Sequence, residues 1–456
     1  MRESLTLAEH IAHIRYDDIP SSAVDITKKS FLDGLGVMLA AGTMGEGCQQ
    51  FVNLAMAEGG EKESTIIGFD AKVPACMAAF ANGSMAHALD FEDTHDRGRV
   101  HPNAAAIPAA LAVTESIGSV SGKEFITALA LGSDIVSRLG LALKEDPIEY
   151  GWYMPPILGA FGATTAACKL LNLSPRQILD ALSLTLCQAT CSAELTRSPH
   201  SVVRAIRDAF SAKAGVLSAL LAKRGVTGFD QPIEGRAGLF RLYSRGNYDL
   251  SRLTSGLGET FEGANVSFKP WPSCRGTHSF IEATLQIVER HDLKPGDIED
   301  IRLTVSPASI NRVLCEPLAR KRSPRTAIDA KFSLPFVVAV AVVHRGVTLN
   351  HFMLQGLRDP TVLEVARKVS YEVDSKLEAT QGFIQIKAGH KVMSSKAPEF
   401  AYGHPTNPMS QESLVAKFID CAAHSAKQIP RDNLNKLIEL ILHLEDVKSM
   451  EEVVQF

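Results

Sequence analysis

The chain has 456 residues, which is too long for a single hydrophobic core and predicts two domains. Its 47 basic and 51 acidic residues give a formal net charge of −4, so nucleic acid and anionic membrane surfaces are not expected as partners. Hydrophobic residues make up 45% of the chain but aromatic residues only 6%, which favours helices packed through small side chains. The eight cysteines contain no CxxC pair and the first residues resemble a capped helix rather than a signal segment, so we expect reduced thiols and a cytoplasmic location.

The first 265 residues are predicted to be almost entirely helical. Apolar residues recur there at three- and four-residue spacing, and short turn and capping segments separate the runs. The predicted helices are Ala23–Leu39, Pro74–Leu89, Ala104–Ile117, Gly122–Leu143, Gly159–Leu171, Pro175–Cys191 and Arg204–Arg224, with a short β-type segment at Thr65–Phe69. The longest apolar runs, such as Phe336–Val343, are too short to span a membrane.

The pattern changes after about Asn265, where alternating apolar and polar residues begin to predict strands. The predicted strands are Ile298–Val305, Val369–Leu377 and Gly382–Met393, the last with a hairpin turn at Ala388–His390, and the predicted helices are Ser279–Arg290, Asp329–Val343, Pro360–Val369, Ser410–Phe418 and Asp432–Leu444. We therefore predict a mainly α fold. A large all-helical domain is formed by both ends of the chain, residues 1–265 and 401–456, and an α+β lid domain is inserted at residues 266–400.

The densest group of titratable residues lies in the segment Gly83–Pro102, at the end of an Ala-rich helix. Its members are Asp90, Glu92, Asp93, Asp96, His87, His95, His101, Arg97 and Arg99. Like charges this close repel one another, so we interpret the segment as the centre of an active site, with His101 as a candidate acid or base. A solvated helix end is the alternative. A metal site is not expected, because the spacing matches no standard ligand pattern.

Two other segments hold candidate residues. Arg204 and Arg207 are three residues apart at a predicted helix start, where they could bind a polycarboxylate or form a solvated basic face. The segment Ser267–His278 lies at the predicted domain boundary and contains Lys269 beside one of the two tryptophans. Clefts between domains are common ligand sites. No GxGxxG or GKS/T motif occurs, so a nucleotide cofactor is not expected.

These segments resemble the MmgE/PrpD family, and the resemblance extends over nearly the whole chain. The segments that carry it are Gly83–His101 with the core Asp90–Thr94, Lys269–Cys274 followed by Thr277 and His278, Asp329–Pro335, and Gly403–Pro408. The family includes 2-methylcitrate dehydratase, cis-aconitate decarboxylase and iminodisuccinate epimerase. The resemblance implies a homodimer, no metal or organic cofactor, and a site for a small polycarboxylate between the domains.

The chain departs from the family pattern at three places. Tyr153, in the turn Gly151–Pro156, stands where dehydratases and decarboxylases of the family carry a His-Pro turn. A Lys-Arg-Leu-His-type segment is replaced by one with Arg204 and Arg207, and the lid tyrosine of the decarboxylase corresponds to Phe336. The loss of that histidine and that tyrosine weakens a direct transfer of dehydratase or decarboxylase activity.

The reactions of the family begin at a C–H or C–CO2 bond next to a carboxylate, so cationic groups must stabilise the developing negative charge. The residues predicted to be catalytic are His101, Lys269, Tyr153 and Asp90, and those predicted to bind substrate are Thr94, Arg204, Arg207, Cys274 and His278. We expect a cofactor-independent epimerase that removes and returns a proton at a carbon α to a carboxylate, with iminodisuccinate as a substrate. The alternatives are a dehydratase of the 2-methylcitrate type, a lyase resembling cis-aconitate decarboxylase, and a catalytically idle binding protein.

Overall fold

A computed structural model describes residues 3–198, 201–378 and 381–455. The first part of the chain is helical, as predicted. Its helices are α1 (Glu3–His13), α2 (Ser21–Met44), α3 (Cys48–Glu58), α4 (Ala75–Ala88), α5 (Pro102–Ile117), α6 (Gly122–Ala142), α7 (Met154–Leu170), α8 (Pro175–Leu186), α9 (Val203–Ile206), α10 (Asp208–Lys223), α11 (Leu239–Tyr243) and α12 (Ser251–Thr254). The strands β1 (Ser64–Thr65) and β2 (Lys72–Val73) form a small antiparallel pair, so the predicted β-type segment at 65–69 is mostly turn.

The second part of the chain is α+β. Its helices are α13 (His278–His291), α14 (Ser309–Cys315), α15 (Leu318–Arg322), α16 (Ala327–Lys331), α17 (Leu334–His344), α18 (Leu354–Leu357), α19 (Pro360–Arg367), α20 (Gln411–Ala422), α21 (Arg431–Leu442) and α22 (Glu451–Val454). Its strands are β3 (Ile298–Val305), β4 (Val369–Val373), β5 (Gly382–Ala388) and β6 (Lys391–Ala397). They lie in the order β4-β3-β5-β6, with β4 parallel to β3 and the other pairs antiparallel. The predicted mainly α fold with a small sheet is confirmed.

Small residues allow the helices around the candidate site to pack closely. Gly83 of α4 faces α10, and a Cβ atom at this position would lie 2.8 Å from the carbonyl oxygen of Asp208 and 2.9 Å from Cα of Ala209. Both neighbours are backbone atoms that cannot rotate away, so a larger residue would push the two helices apart. Because α4 leads into the acidic segment and α10 begins beside Arg207, this contact brings two candidate parts of the site together.

Helix α6 differs from the expectation that no apolar run could span a membrane. By length and composition it is long and apolar enough to do so, but 94% of its most apolar 18-residue window is buried within the protein. The helix begins with a capping box in which the Ser121 hydroxyl accepts a hydrogen bond from the backbone N–H of Glu124. This burial is typical of a core helix.

The predicted helix 329–343 is broken in the structure. Helix α16 ends at Lys331, and α17 begins at Leu334 after Ser333, whose hydroxyl accepts a hydrogen bond from the Phe336 N–H at 3.1 Å. Pro335 has no N–H to donate to a preceding turn, so it favours a new helix start over a continuous helix. The same principle explains why α7 begins at Met154, before its two prolines, and not at residue 159.

The two ends of the chain lie against each other. Phe418 of α20 packs on α2, where a Cβ atom at Gly36 would lie 2.9 Å from its ring. Lys28 of α2 forms an ion pair with Glu445 at 2.9 Å and donates to the carbonyl oxygen of Leu442 at 2.9 Å. The predicted domain boundaries and the predicted homodimer stay predictions.

Candidate active site

Asp90 and Lys269 form a buried ion pair at the centre of the site. Asp90 follows the C-terminus of α4 in the left-handed conformation (φ 48°), which aspartate adopts more readily than most residues. Lys269 lies 179 residues further along the chain and donates to the Asp90 carboxylate and, at 3.1 Å, to its backbone carbonyl oxygen. The two side chains are 1% and 0% exposed. Two of the three ammonium donors therefore bind within the described part of the chain, which leaves the third for a ligand.

Both members of this pair are ionised. Burial is the largest single effect and disfavours the charge of Asp90, but Lys269 acts together with His87 and His101 to hold the pKa of the carboxyl well below its usual range. Burial likewise opposes the charge of Lys269, but the carboxylates of Asp90 and Glu92 raise the pKa of this lysine above its ordinary value. Lys269 is thus a fixed cation at neutral pH.

Glu92 holds two histidines in the same cluster. The sequence interpretation assigned Glu92 no role of its own, but the structure places it 1% exposed at the centre of the site. Its carboxylate accepts from Nδ1 of His87 and, at 2.8 Å, from Nδ1 of His101. The His101 ring also lies 3.4 Å from the Thr94 hydroxyl and 4.6 Å, between centroids, from the His87 ring.

His87 and His101 differ in their exposure. Burial and the nearby Arg207 lower the pKa of His87 to about 4, so its imidazole is neutral. The His101 side chain is 15% exposed, whereas that of His87 is fully buried. Because Glu92 binds Nδ1 of His101, the other nitrogen, Nε2, is the one available to a ligand.

Four groups of this cluster could also hold a metal ion. Ligand atoms of His87, Asp90, Glu92 and His101 all lie within 4.8 Å of one another. In this arrangement a metal ion would compete with the Lys269 ammonium for Asp90 and with both imidazoles for Glu92. The second carboxylate oxygens of Asp90 and Glu92 and Nε2 of His87 have no hydrogen-bond partner among the described residues, and the expectation of a metal-free site stays a prediction.

The predicted arginines lie beside Tyr153. The Arg207 guanidinium is 5.1 Å and the Arg204 guanidinium 5.6 Å from the centre of the Tyr153 ring, and Arg204 also lies 3.2 Å over the ring of Phe332. Both arginines are buried, and Arg207 Nη1 donates to the Arg204 carbonyl oxygen at 2.6 Å. The Arg204 Nε, Arg207 Nε and Arg207 Nη2 atoms have no hydrogen-bond partner among the described residues, although Asp208 lies 3.5 Å from Arg207 Nε. Buried donors without acceptors favour an anionic ligand.

Cys274 and His278 lie in the same segment as Lys269, Ser267–His278, and both are neutral. Burial, followed by the Asp90 charge, raises the pKa of the Cys274 thiol to about 11, so it is not a thiolate nucleophile at neutral pH. Burial and Arg275 lower the pKa of His278 well below its ordinary value. Nε2 of His278 donates to the carbonyl oxygen of Ser273 at 3.2 Å, so this ring is held within the protein.

The structure adds two buried lysines that the sequence interpretation missed. Lys331 donates to the carbonyl oxygen of Leu89, directly before Asp90, and burial lowers the pKa of its ammonium to about 7. Lys417, from α20, binds the backbone of both Phe91 and Lys269. Lys331 lies in Asp329–Pro335, one of the segments that carry the family resemblance, so the sequence could have indicated it. Lys417 lies in an ordinary amphipathic helix, where the sequence gives no such indication.

Asp93 makes the stability of the site depend on pH. Burial and the neighbouring Asp33 carboxylate raise the pKa of Asp93 from 3.8 to about 7, so the folded state binds this proton more tightly than the unfolded chain does. Stability from this group is therefore complete below about pH 4 and is lost as pH rises to about 7, at roughly 1.4 kcal/mol per pKa unit. The carboxyl accepts from the Ser30 hydroxyl at 2.8 Å and from Asn103.

We expect the variant Asp93→Asn to remove this pH dependence, because an amide keeps the acceptor for Ser30 and Asn103 without titrating. Urea unfolding at pH 5 and pH 8 measures the difference in the free energy of unfolding. The variant should gain more stability relative to the wild type at pH 8 than at pH 5. An equal difference at both pH values would show that Asp93 is ionised throughout.

Comparison with known proteins gives matches over most of the chain. A model of the MmgE/PrpD N-terminal domain matches residues 5–251, and a model of the MmgE/PrpD C-terminal domain matches residues 271–443. The chain is 26% identical over 476 residues to the cis-aconitate decarboxylase of Mus musculus, covering 98% of this chain and 92% of the mouse protein. It is 26% identical over 475 residues to that of Homo sapiens (98% and 93%) and 24% identical over 466 residues to that of Aspergillus terreus (97% and 94%). Because the two domain models together match most of its length, the chain belongs to the MmgE/PrpD family.

Proposed function

We propose that the chain is a lyase that removes carbon dioxide from a small tricarboxylate of the cis-aconitate type. The observation that carries the proposal is one partly exposed imidazole, His101, in a site whose cations are buried and whose arginine donors lack partners. The relatives named above are cis-aconitate decarboxylases, and this chain matches almost their whole length. This supports a lyase over the epimerase that we expected from the sequence.

The site supplies the two requirements of a decarboxylation. When the C–CO2 bond breaks, its electron pair stays on the carbon and spreads onto a neighbouring carboxylate, where Lys269, Arg204 and Arg207 stabilise the added charge. His101 Nε2–H then donates its proton to the carbon, and solvent reprotonates the imidazole through its exposed edge. Glu92 accepts at Nδ1 and holds the imidazole in place for this transfer.

An epimerase is the second candidate, and Tyr153 is the observation that favours it. The family's dehydratases and decarboxylases carry a histidine at this turn, whereas this chain places a half-buried phenol beside two guanidinium groups. An epimerase needs acid–base groups on opposite faces of one carbon, and His101 with Tyr153 would supply such a pair.

Product analysis in deuterium oxide separates these functions. The purified protein is incubated separately with cis-aconitate, 2-methylcitrate and iminodisuccinate, and carbon dioxide, ultraviolet absorbance and proton NMR spectra are recorded. We expect carbon dioxide release from cis-aconitate and one deuterium on the carbon that is protonated. Exchange of the α-hydrogen of iminodisuccinate without loss of carbon dioxide would favour the epimerase, and loss of water from 2-methylcitrate would favour a dehydratase. Either result, without decarboxylation, would overturn the proposal.

The unpartnered guanidinium donors predict a defect in substrate binding. We expect Arg207→Met to raise the KM for the tricarboxylate by about 10- to 100-fold, because a charge-assisted hydrogen bond contributes roughly 1.5–3 kcal/mol. Arg207→Lys keeps the positive charge but loses the planar, paired N–H donors of the guanidinium, so its KM should lie between those of Arg207→Met and the wild type. Steady-state kinetics on protein of matched thermal stability test this. Wild-type KM in Arg207→Met would show that the guanidinium does not face the substrate.

A further inference from the structure

Lys417 is buried against the segments that carry Asp90 and Lys269. Its side chain is buried, and Nζ lies 2.6 Å from the Asp33 carboxylate. The same nitrogen donates to the carbonyl oxygen of Phe91 at 2.6 Å and to that of Lys269 at 2.9 Å. Two of the three N–H donors of the ammonium therefore bind backbone carbonyl groups, and the ammonium also forms an ion pair with Asp33.

The two carbonyl groups belong to the two segments that form the site, residues 83–102 and residues 267–278. Phe91 directly follows Asp90, and the other carbonyl belongs to Lys269 itself, so one ammonium joins the backbone segments that carry the central ion pair. The ammonium also lies 3.8 Å over the Phe91 ring. Further along, the segments are joined by the bridge between Thr94 and Ser267, whose two N–H···O distances are 3.0 and 2.7 Å. Asp96 adds to this link, because its carboxylate accepts from the Ser267 hydroxyl at 2.8 Å and from Arg275 Nε at 3.2 Å. Lys417 therefore binds the backbone of both segments directly next to the pair through one ammonium.

We infer that Lys417 is a positioning residue that sets the separation of the Asp90 carboxylate and the Lys269 ammonium through the carbonyl groups of Phe91 and Lys269. Its effect on turnover rests on the proposed decarboxylation, because Lys269 is the cation that stabilises the developing charge there. Small displacements of a catalytic group are costly, since a shift of about 1 Å can lower a rate about 100-fold. Lys417 itself has no contact with the substrate in this scheme.

The chain contains a matched lysine that joins the same two ends without touching the site. Lys28 of α2 is buried, pairs with Glu445 at 2.9 Å, and donates to the carbonyl oxygen of Leu442 at 2.9 Å. Both lysines therefore combine one carboxylate with backbone carbonyl groups across the contact between the chain ends. Of these two lysines, Lys417 binds the backbone of active-site residues and Lys28 does not. Lys28→Met is the control for lost stability alone.

The charge state of Lys269 reports its position. The titratable groups that act on its ammonium are Asp90, Glu92, Cys274, Asp33, Lys331 and His278. Asp90 is the nearest of the counter-charges, so lengthening this one contact lowers the pKa of Lys269 while the other groups remain in place. Lys269 must be charged to stabilise the reacting carboxylate. The alkaline limb of the rate profile should therefore move to lower pH when the contact lengthens.

The experiment compares Lys417→Met and Lys28→Met with the wild type. We measure kcat and KM for cis-aconitate against pH, the melting temperature, and the pH titration of the Lys269 13Cε NMR signal, assigned by its loss in Lys269→Met. For Lys417→Met we expect kcat to fall about 10-fold or more with little change in KM, and the alkaline limb and the Lys269 titration to move down by about one pH unit. Lys28→Met should lose thermal stability but keep the wild-type kcat and pH profile.

Two results would overturn the inference. Wild-type kcat and an unmoved Lys269 titration in folded Lys417→Met would show that Lys417 only stabilises the fold. An equal fall in kcat in Lys28→Met would show the same. If Lys417→Met does not fold, the variant Asp33→Asn/Lys417→Met removes the buried charge of both partners, and the same measurements apply. If the wild type releases no carbon dioxide, the proposed function fails, and the NMR titration still decides the positioning role by itself.

Discussion

Replacing Lys269 with methionine is expected to lower kcat by about 1000-fold, because the site loses its fixed, fully buried cation. The change should also destabilise the protein by roughly 3–5 kcal/mol, since Asp90 is left as an uncompensated buried charge. Carbon dioxide release from cis-aconitate and urea unfolding measure the two effects on the same preparation.

The double variant Asp90→Asn/Lys269→Met separates these effects. It removes both charges, so stability should recover towards the wild-type value, whereas turnover should stay lost because the substrate still lacks its counter-charge. Recovery of activity together with stability would contradict the catalytic role, and Lys269 would then be needed only to fold the site around Asp90.

Replacing His101 with asparagine is expected to lower kcat by about 100- to 10,000-fold with little change in KM, because proton donation to the carbon is lost. The amide can still donate to Glu92 from near the Nδ1 position, so the local structure should survive. Steady-state kinetics and a melting curve test this, with His344→Asn as the control, since that histidine lies outside the cluster and pairs with Asp359.

The fate of the proton provides a second measurement on His101→Asn. If His101 supplies the proton, residual turnover in deuterium oxide should give product labelled without the facial preference that the wild type shows. Wild-type kcat in the variant, or a product with unchanged stereochemistry at an unchanged rate, would assign the proton transfer to another group, of which Tyr153 is the first candidate.

The helical part of the fold could be predicted because its signals are local. Apolar spacing and capping residues identified most helices to within a few residues, and strict alternation identified β3 and β5, whose inward residues are buried. The breaks were less predictable. The helix predicted over residues 329–343 divides at Ser333 because a cap and a proline together outweigh the apolar pattern around them.

The candidate site was predictable in part for a different reason. The concentration of charged groups after α4 is unusual in sequence, and it includes Asp90 and His101, which have ligand atoms within 4.8 Å of each other in the structure. The sequence could not show which charged residues of this segment are buried in the site and which are exposed. Glu92 is buried at the centre whereas Arg97 is exposed, and nothing in the order of residues distinguishes them.

The residues alone determined a mainly helical chain with a small sheet, and they located the acidic segment and the Lys269 segment as its two chemical centres. Only the tertiary structure decided which charges neutralise one another. Lys269 meets Asp90 across 179 positions, and Lys417 lies 326 positions from Phe91, so neither contact leaves a periodic signal in sequence. The physical reason is that a buried charge is stable only beside a counter-charge or hydrogen-bonding group. The packing of the helices determines which such group lies beside it.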